Sequence, residues 1–213
     1  MIDNDYLKIV SVFEKNEKSF NARKEKMNST SFSKINWSDS YLDFTPYYSI
    51  TNQLGKTTIF ETEKLDSIKN HFFDNTLIYS YKNANENWGS VFIDYLTNSK
   101  MWFLFVENDS DEMMLQQVRV VCFEDDKITK QLFYLLDKDA EEETFMKDIF
   151  NYNEESELQS INRNGFYEMK STILPETKFA FEYDNDNMKV YASQEVTGTI
   201  KKHLIYDGKR LGR

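Results

Sequence analysis

The chain has 213 residues and a formal net charge of −10, from 26 basic and 36 acidic residues. Its content of 40% hydrophobic and 29% charged residues is typical of a globular fold and excludes a disordered chain. The negative charge repels nucleic acid and anionic membranes and attracts a cationic partner, so we expect neither nucleic acid nor a membrane among the ligands.

The cellular location is predicted from what the sequence lacks. Cys122 is the single cysteine, so no disulfide within the chain calls for an oxidising compartment. The first residues, MIDNDYLK, have no apolar core of the kind found in a signal peptide. The longest apolar run, MWFLFV at 101–106, is far shorter than the ~20 residues of a membrane helix. We therefore expect a cytoplasmic protein.

The N-terminal region is predicted to be one helix over residues 3–27, capped by Asp3 or Asp5. Its apolar residues recur at helical spacing. They are Tyr6, Ile9, Val10, Phe13, Phe20 and Met27. Charged and amide side chains fill the opposite face, so we expect this helix to pack on a sheet.

A second helix is predicted to begin at Thr58, because Thr58 and Glu61 have the spacing of a capping box. Leu65, Ile68 and Phe72 would form its buried stripe. The segment before it, SYLDFTPYYSIT at 40–51, is predicted to be extended and irregular, because proline cannot donate to a strand ladder.

From residue 76 the apolar pattern changes to a period of two, which is typical of strands. Five strands are predicted, with sequences TLIYSYKN, WGSVFIDYL, KMWFLFVE, LQQVRVVCFE and ITKQLFYLL. Their connectors are too short for parallel crossovers, so the strands should pair as an antiparallel meander. The run MWFLFV is apolar on both faces, which predicts a central strand covered on both sides.

A third helix is predicted over 139–152, capped by Asp139. A polar linker over 153–165 and three further strand segments over 166–207 follow. The predicted fold class is α+β, with a curved antiparallel meander of about eight strands packed with an N-terminal helix and two further helices. We expect a single domain over 1–213, with the residues 154–213 as a potential C-terminal strand layer.

The sequence predicts no metal or cofactor site. Counted from Asp184, the acidic run DNDN at 184–187 has Met188 at the fifth place of a calcium loop and Lys189 at the sixth, where Gly is required. It is predicted to be a hairpin turn, as are EDDK at 124–127 and YDGK at 206–209, which contains Asp207-Gly208. The stretch LGKTT at 54–58 lacks the first Gly of a phosphate-binding loop. His71, His203 and Cys122 are isolated in sequence, and we interpret them as structural or surface residues.

Three functional hypotheses remain open. The first is a non-enzymatic protein that binds another, basic protein, for example an immunity-type inhibitor that masks a bacterial toxin. Its partner-binding residues would be Asp125, Asp126, Glu141 and Glu142. The second is an enzyme or small-ligand carrier with an aromatic pocket in the curved sheet. The pocket would be lined by Trp88, Trp102 and Tyr134. The third is an oligomerisation module that uses the apolar face of the first helix.

Overall fold

The structure is a computed structural model that describes residues 3–83, 87–137, 142–167, 172–196 and 198–210. The helices are α1 (Asn4–Asn16), α2 (Phe20–Asn28) and α3 (Tyr48–Thr51). The strands are β1 (Lys34–Ser38), β2 (Ile59–Phe60), β3 (Ile68–Phe73), β4 (Thr76–Asn83), β5 (Asn87–Leu96), β6 (Ser99–Glu107), β7 (Met113–Glu124), β8 (Lys127–Asp137), β9 (Glu142–Tyr152), β10 (Leu158–Tyr167), β11 (Thr172–Asp184), β12 (Asn187–Val196) and β13 (Thr199–Lys209).

All thirteen strands belong to one antiparallel sheet. From β3 to β13 each strand pairs with its neighbour in the chain, and β1 lies between β3 and β2 at the other end. The sheet is open, because β13 and β2 stand at its two edges. The β10–β13 hairpins continue the same sheet as β3–β9.

One face of the sheet is covered by α1 and α2. Ile9 and Phe13 of α1 are buried against a row of side chains that stand opposite one another on β6 to β9. The row consists of Phe103, Val118, Tyr134 and Phe145. Such cross-strand aromatic and β-branched neighbours stabilise a sheet, and the helices remove them from water.

The start of α1 is held to the sheet by charge as well as by packing. Asp3 caps the helix by accepting a hydrogen bond of 2.8 Å from the backbone N–H of Asp5. Lys147 on β9 pairs with Asp3, and Lys130 on β8 reaches the Asp5 carboxylate at 2.7 Å. The hydrogen bond from Lys147 is the main reason that the pKa of Asp3 is lowered.

The opposite face is covered by residues 39–57, which we call the cover segment. Phe44 packs on Trp102 of β6, and Tyr47 packs on Phe181 of β11 with ring centroids 5.1 Å apart. Ile50, in α3, joins the apolar cluster of β9 to β12. The cover segment therefore supplies the second of the two covers that the apolar run MWFLFV predicted for its strand.

The predicted fold class is wrong. The described residues are mostly β, with thirteen strands instead of about eight and three short helices instead of one long and two further helices. The predicted helix from Thr58 is replaced by β2 and β3. Leu65, assigned to its buried stripe, is 94% exposed. Ile68 and Phe72, the other two residues of that stripe, lie in β3, which pairs with both β1 and β4.

The predicted helix over 139–152 is also wrong, because Glu142–Tyr152 forms β9 between β8 and β10. Its Asp139 cap lies outside the described residues. Phe145 faces the helices, while Phe150 faces the opposite side of the sheet. Because this strand has apolar residues on both faces, their spacing in the sequence resembles that of a helix. The strand is fixed by ladder bonds on both edges, which outweigh local helix propensity.

The polar stretch 153–165 is a turn followed by most of β10, so the linker prediction is wrong as well. The hairpin predicted at Asp207-Gly208 is wrong too, since both residues lie within β13. The turns at DNDN and at Asp125-Asp126 are confirmed by positive φ angles, 53° at Asn185 and 48° and 61° at the two aspartates.

No helix of the described residues is both long enough and apolar enough to cross a bilayer.

Candidate functional site

The three predicted partner-binding residues that the structure describes, Asp125, Asp126 and Glu142, do not form one patch. Asp125 and Asp126 make the β7–β8 turn, whereas Glu142 is the first residue of β9 at the other end of β8. Glu141 lies outside the described residues. Since β8 has eleven residues, the two ends are about 35 Å apart at ~3.3 Å per residue. A single partner contact would therefore include either Asp125 and Asp126 or Glu142, because these residues lie at opposite ends of β8.

The end that holds Asp125 and Asp126 carries further carboxylates on neighbouring hairpins. We call the following set the acidic row: Asp125 and Asp126 of the β7–β8 turn, Glu154 and Glu155 of the β9–β10 turn, and Asp184 and Asp186 of the β11–β12 turn. All six are exposed. Successive turns are about 10 Å apart, because each is separated by two strand spacings of ~4.8 Å. Within the part of the chain that the structure describes, none of the six forms an ion pair.

Hydrogen bonds tie the hairpins of the acidic row to one another. Lys127 donates to Ser156 at 2.8 Å, which joins the first turn to the second. Arg210 pairs with Glu157 at 2.8 Å, and its backbone N–H donates to the carbonyl of Asp186 at 2.8 Å. The carboxylates are thus presented on a fixed framework. Lys127, Arg210 and Lys209, which pairs in register with Asn187, lie beside the six carboxylates.

The predicted aromatic pocket is not formed by the residues assigned to it. Trp102 stands opposite Arg119 on the face of the cover segment, while Tyr134 belongs to the core under α1. The sheet itself separates the two rings. Trp88 lies on β5, and its side chain is not among those described.

A cleft of about 510 Å³ does exist on the Trp102 side, between the sheet and the cover segment. We call it the Arg119 cleft. Its lining includes Tyr48, Trp102, Leu104, Gln117 and Arg119, together with residues 39–43 and 54–57. The wall formed by 39–43 is anchored by Tyr41, whose hydroxyl donates to the carbonyl of Gly89 at 3.0 Å. A side chain at Gly89 would crowd that hydroxyl, and the φ of 146° there also favours glycine.

Arg119 is only 7% exposed, and aromatic rings surround its guanidinium. The Cζ atom lies 4.0 Å from the ring centroid of Tyr48 and 4.6 Å from that of Trp102. Cation–π contacts of this kind stabilise a desolvated guanidinium. No carboxylate of the described residues lies within ion-pairing distance of it.

The hydrogen bonds of Arg119 go to neutral groups. Nη2 donates to the Tyr48 hydroxyl at 2.7 Å. With the Gln117 amide oriented so that its oxygen faces the guanidinium, that oxygen accepts from Nε and Nη2 at 2.9 Å each. Burial lowers the pKa of Arg119, and Tyr48 and the charge of Asp43 offset only part of this. Arginine still stays protonated in such a site.

A second buried arginine on the same face has a carboxylate partner. Arg163 of β10 donates from Nε and Nη2 to the two oxygens of Asp148 at 2.7 and 2.8 Å. Its Nη1 donates to Asn52 at 3.0 Å, so the pair also holds the end of α3. Burial would lower the pKa of Arg163, but the hydrogen-bonded Asp148 reverses this and raises it. This arginine is fully used in joining sheet and cover segment.

The two histidines and the cysteine have ordinary surroundings for structural residues. His71 lies in β3, 6% exposed, between the rings of Phe32 and Tyr81. Burial lowers its pKa to about 4, with a smaller effect of Lys69. His203 is exposed on β13. Burial raises the pKa of the Cys122 thiol, which reduces its nucleophilic character.

Sequence reasoning missed the cleft residues Arg119 and Tyr48. A signal was present, since Arg119 interrupts the apolar run of VRVVCF and predicts a buried cation that needs partners. Gln117 and Trp102 of the sheet supply some of these partners, and Tyr48 comes from the cover segment, whose sequence predicted only an irregular extended stretch. Neither protein-family models nor curated proteins give a match to this chain.

Proposed function

We propose that this chain is a non-enzymatic protein that binds another protein of basic surface through the acidic row. The observation that carries the proposal is the set of six exposed carboxylates on three adjacent, mutually bonded hairpins, without ion pairs among the described residues. Exposed charges of one sign on a rigid framework steer the encounter with an opposite charge and fix its orientation.

The acidic row places six of the 36 acidic residues on the turns at one end of the sheet, which supports a specific contact over general solubility. Asp125 and Asp126 keep the role that the sequence predicted for them, while Glu142 at the opposite end of β8 does not join them. Carboxylates that are fixed in turns lose less conformational freedom on binding than carboxylates on mobile loops would.

An immunity-type inhibitor that masks a bacterial toxin is the particular case that we propose. Enzymes that act on nucleic acid carry basic clefts, because they must neutralise phosphates. A rigid row of carboxylates is complementary to such a cleft, and occupying it would exclude the substrate. An acidic inhibitor of this kind needs no catalytic group of its own.

The test uses two variants with the same formal charge. In the row variant the four aspartates of the acidic row become Asn and the two glutamates become Gln, which keeps the turn residues that positive φ requires. The control variant carries the same replacements at six exposed acids elsewhere. These are Glu61, Glu63, Asp66, Asp109, Asp111 and Glu112. Both variants change the formal net charge from −10 to −4.

Each protein is immobilised and exposed to an extract of the source organism at low and at high salt, and captured proteins are identified by mass spectrometry. We expect the wild type and the control variant to retain one basic protein in near-stoichiometric amount at low salt and to release it at high salt. The row variant should not retain it. Equal capture by all three proteins, or capture that salt does not affect, would contradict the proposal.

A further inference from the structure

The Arg119 cleft contains a buried cation whose hydrogen-bonding capacity is not exhausted. A guanidinium has five N–H groups. Nε and Nη2 use theirs on Gln117 and Tyr48. Nη1 has no hydrogen-bond partner among the described residues, although Arg119 is more than nine-tenths buried and lines the cleft. An unused pair of charged donors inside a cleft favours an anionic ligand.

Tyr48 supplies a further donor beside Nη1. Its hydroxyl accepts a hydrogen bond from Nη2 at 2.7 Å, and it donates none to the described residues. The hydroxyl proton is therefore available to a ligand in the cleft, and the Nη1 donors belong to the guanidinium that this hydroxyl contacts. Two neighbouring donor groups, one charged and one neutral, suit the two oxygens of a carboxylate.

The surroundings select an anion of low charge. Arg119 is the one cation that is buried in this cleft among the described residues, and the side chain of Lys56 at the mouth is exposed. Asp39 and Asp43 also line the cleft and repel additional negative charge. Both are engaged with the backbone, Asp39 with the N–H of Thr58 at 3.0 Å and Asp43 with that of Ser49 at 3.3 Å. A carboxylate fits this balance better than a phosphate dianion.

The rest of the lining favours a flat apolar body next to the anion. The rings of Trp102 and Tyr48 both contact the guanidinium and line the cleft, and Leu104 and Leu54 contribute apolar surface. Small-molecule sites combine such apolar walls with a few placed polar groups. The volume of about 510 Å³ is within the usual range of ~300–1,000 Å³ for such sites.

We propose that the Arg119 cleft binds a small aromatic monocarboxylate, with its oxygens on Arg119 Nη1 and the Tyr48 hydroxyl and its ring beside Trp102. The proposal does not depend on the acidic row, which lies on the hairpin turns at one end of the sheet. Failure of either proposal thus leaves the other untouched.

The test compares three probes of similar shape, benzoate, benzamide and phenyl phosphate. Each is titrated into the full chain while the indole N–H signal of Trp102 is followed by NMR, with Trp102→Phe used to assign the signal. We expect benzoate to shift the signal saturably. Benzamide, which lacks the charge, should bind at least about tenfold more weakly, the loss typical of a missing charge-assisted hydrogen bond.

Variants locate the binding site. Arg119→Met should weaken benzoate binding at least about tenfold, since it keeps the apolar stem and removes the charge. Lys178→Met, which removes one exposed positive charge from β11, is the matched control and should bind as the wild type does. Tyr48→Phe keeps the ring and removes the hydroxyl, so a few-fold loss is expected and serves if Arg119→Met does not fold.

Three results would overturn the proposal. Equal binding of benzoate and benzamide would show an apolar cleft without anion recognition. Tighter binding of phenyl phosphate than of benzoate would show that the ligand class is wrong. The absence of a saturable shift with all three probes would show that the Arg119 cleft does not bind such ligands.

Discussion

Arg119 and Arg163 lie on the same face of one sheet and are both buried, yet their surroundings differ. Arg163 stands directly opposite Asp148 on the neighbouring strand and forms a bidentate ion pair with it. Arg119 stands opposite Trp102 on one side and Phe133 on the other, with Gln117 and Tyr48 as its hydrogen-bond partners. Strand register thus gives Arg163 a carboxylate as its neighbour and gives Arg119 two aromatic neighbours, Trp102 and Phe133.

The difference separates a structural cation from one that is available to a ligand. The Arg163 pair is internally neutral and also holds Asn52 of the cover segment. Arg119 keeps its charge without a carboxylate among the described residues, and its pKa is lowered by burial where that of Arg163 is raised by Asp148. Removing the two arginines should therefore have unlike consequences.

The largest effect is expected at the paired arginine. Arg163→Met leaves the buried Asp148 carboxylate without its ion-pair partner, and we expect the free energy of unfolding to fall by about 3–5 kcal/mol. Urea unfolding measures this. Adding Asp148→Leu removes the unpaired carboxylate and should restore much of the lost free energy of unfolding. Lys189→Met breaks an exposed 3.9 Å pair with Asp207, and as a control it should cost less than about 0.5 kcal/mol.

A third buried basic group, His71, tests whether burial alone suppresses charge in this fold. Its folded pKa is lowered to about 4, below the unfolded value of about 6.5, so the unfolded chain binds the proton first as pH falls. Stability from this group is complete above pH 6.5 and declines below it, by about 3 kcal/mol at pH 4.

The measurement for His71 is urea unfolding at several pH values. His71→Phe keeps an aromatic ring against Phe32 and Tyr81 and removes the titration. The difference between wild type and variant should therefore change with pH over this window and stay constant above it. A difference that is the same at pH 4 and pH 7 would show that His71 is protonated as easily in the folded protein as in the unfolded chain.

A smaller effect is expected at Arg119. Arg119→Met leaves no carboxylate of the described residues without a partner, and the methionine can fill the space beside the rings. We expect the free energy of unfolding to change by less than about 1 kcal/mol, because the lost cation–π and hydrogen bonds are offset by the desolvation of the charge. A loss as large as that of Arg163→Met would mean that Arg119 is a structural residue like Arg163.

Most of the meander could be predicted from alternation of apolar residues. The strand TLIYSYKN coincides with β4, and MWFLFV lies in a β6 that is buried on both faces, as predicted. Short polar connectors correctly indicated antiparallel pairing. These features are local, so a single sequence carries them.

Strands that are buried on both faces could not be told from helices by spacing. In β9, Phe145, Met146, Ile149 and Phe150 have apolar positions that suit either structure, and only the ladders with β8 and β10 decide between them. The Arg119 cleft depends on contacts between residues that are far apart in the chain. Tyr48 and Arg119 are 71 residues apart, so the cleft follows from the fold and not from a motif.

The smallest effect on stability is expected from the acidic row. Its six carboxylates repel one another, so the row variant should be more stable than the wild type at low salt, by a few tenths of a kcal/mol, and equal to it at high salt. The control variant, with the same formal charge, should gain less, because its acids lie in two separate loops. Urea unfolding at two salt concentrations measures both gains. Equal gains would mean that the six carboxylates of the row repel one another no more strongly than carboxylates that are divided between two loops.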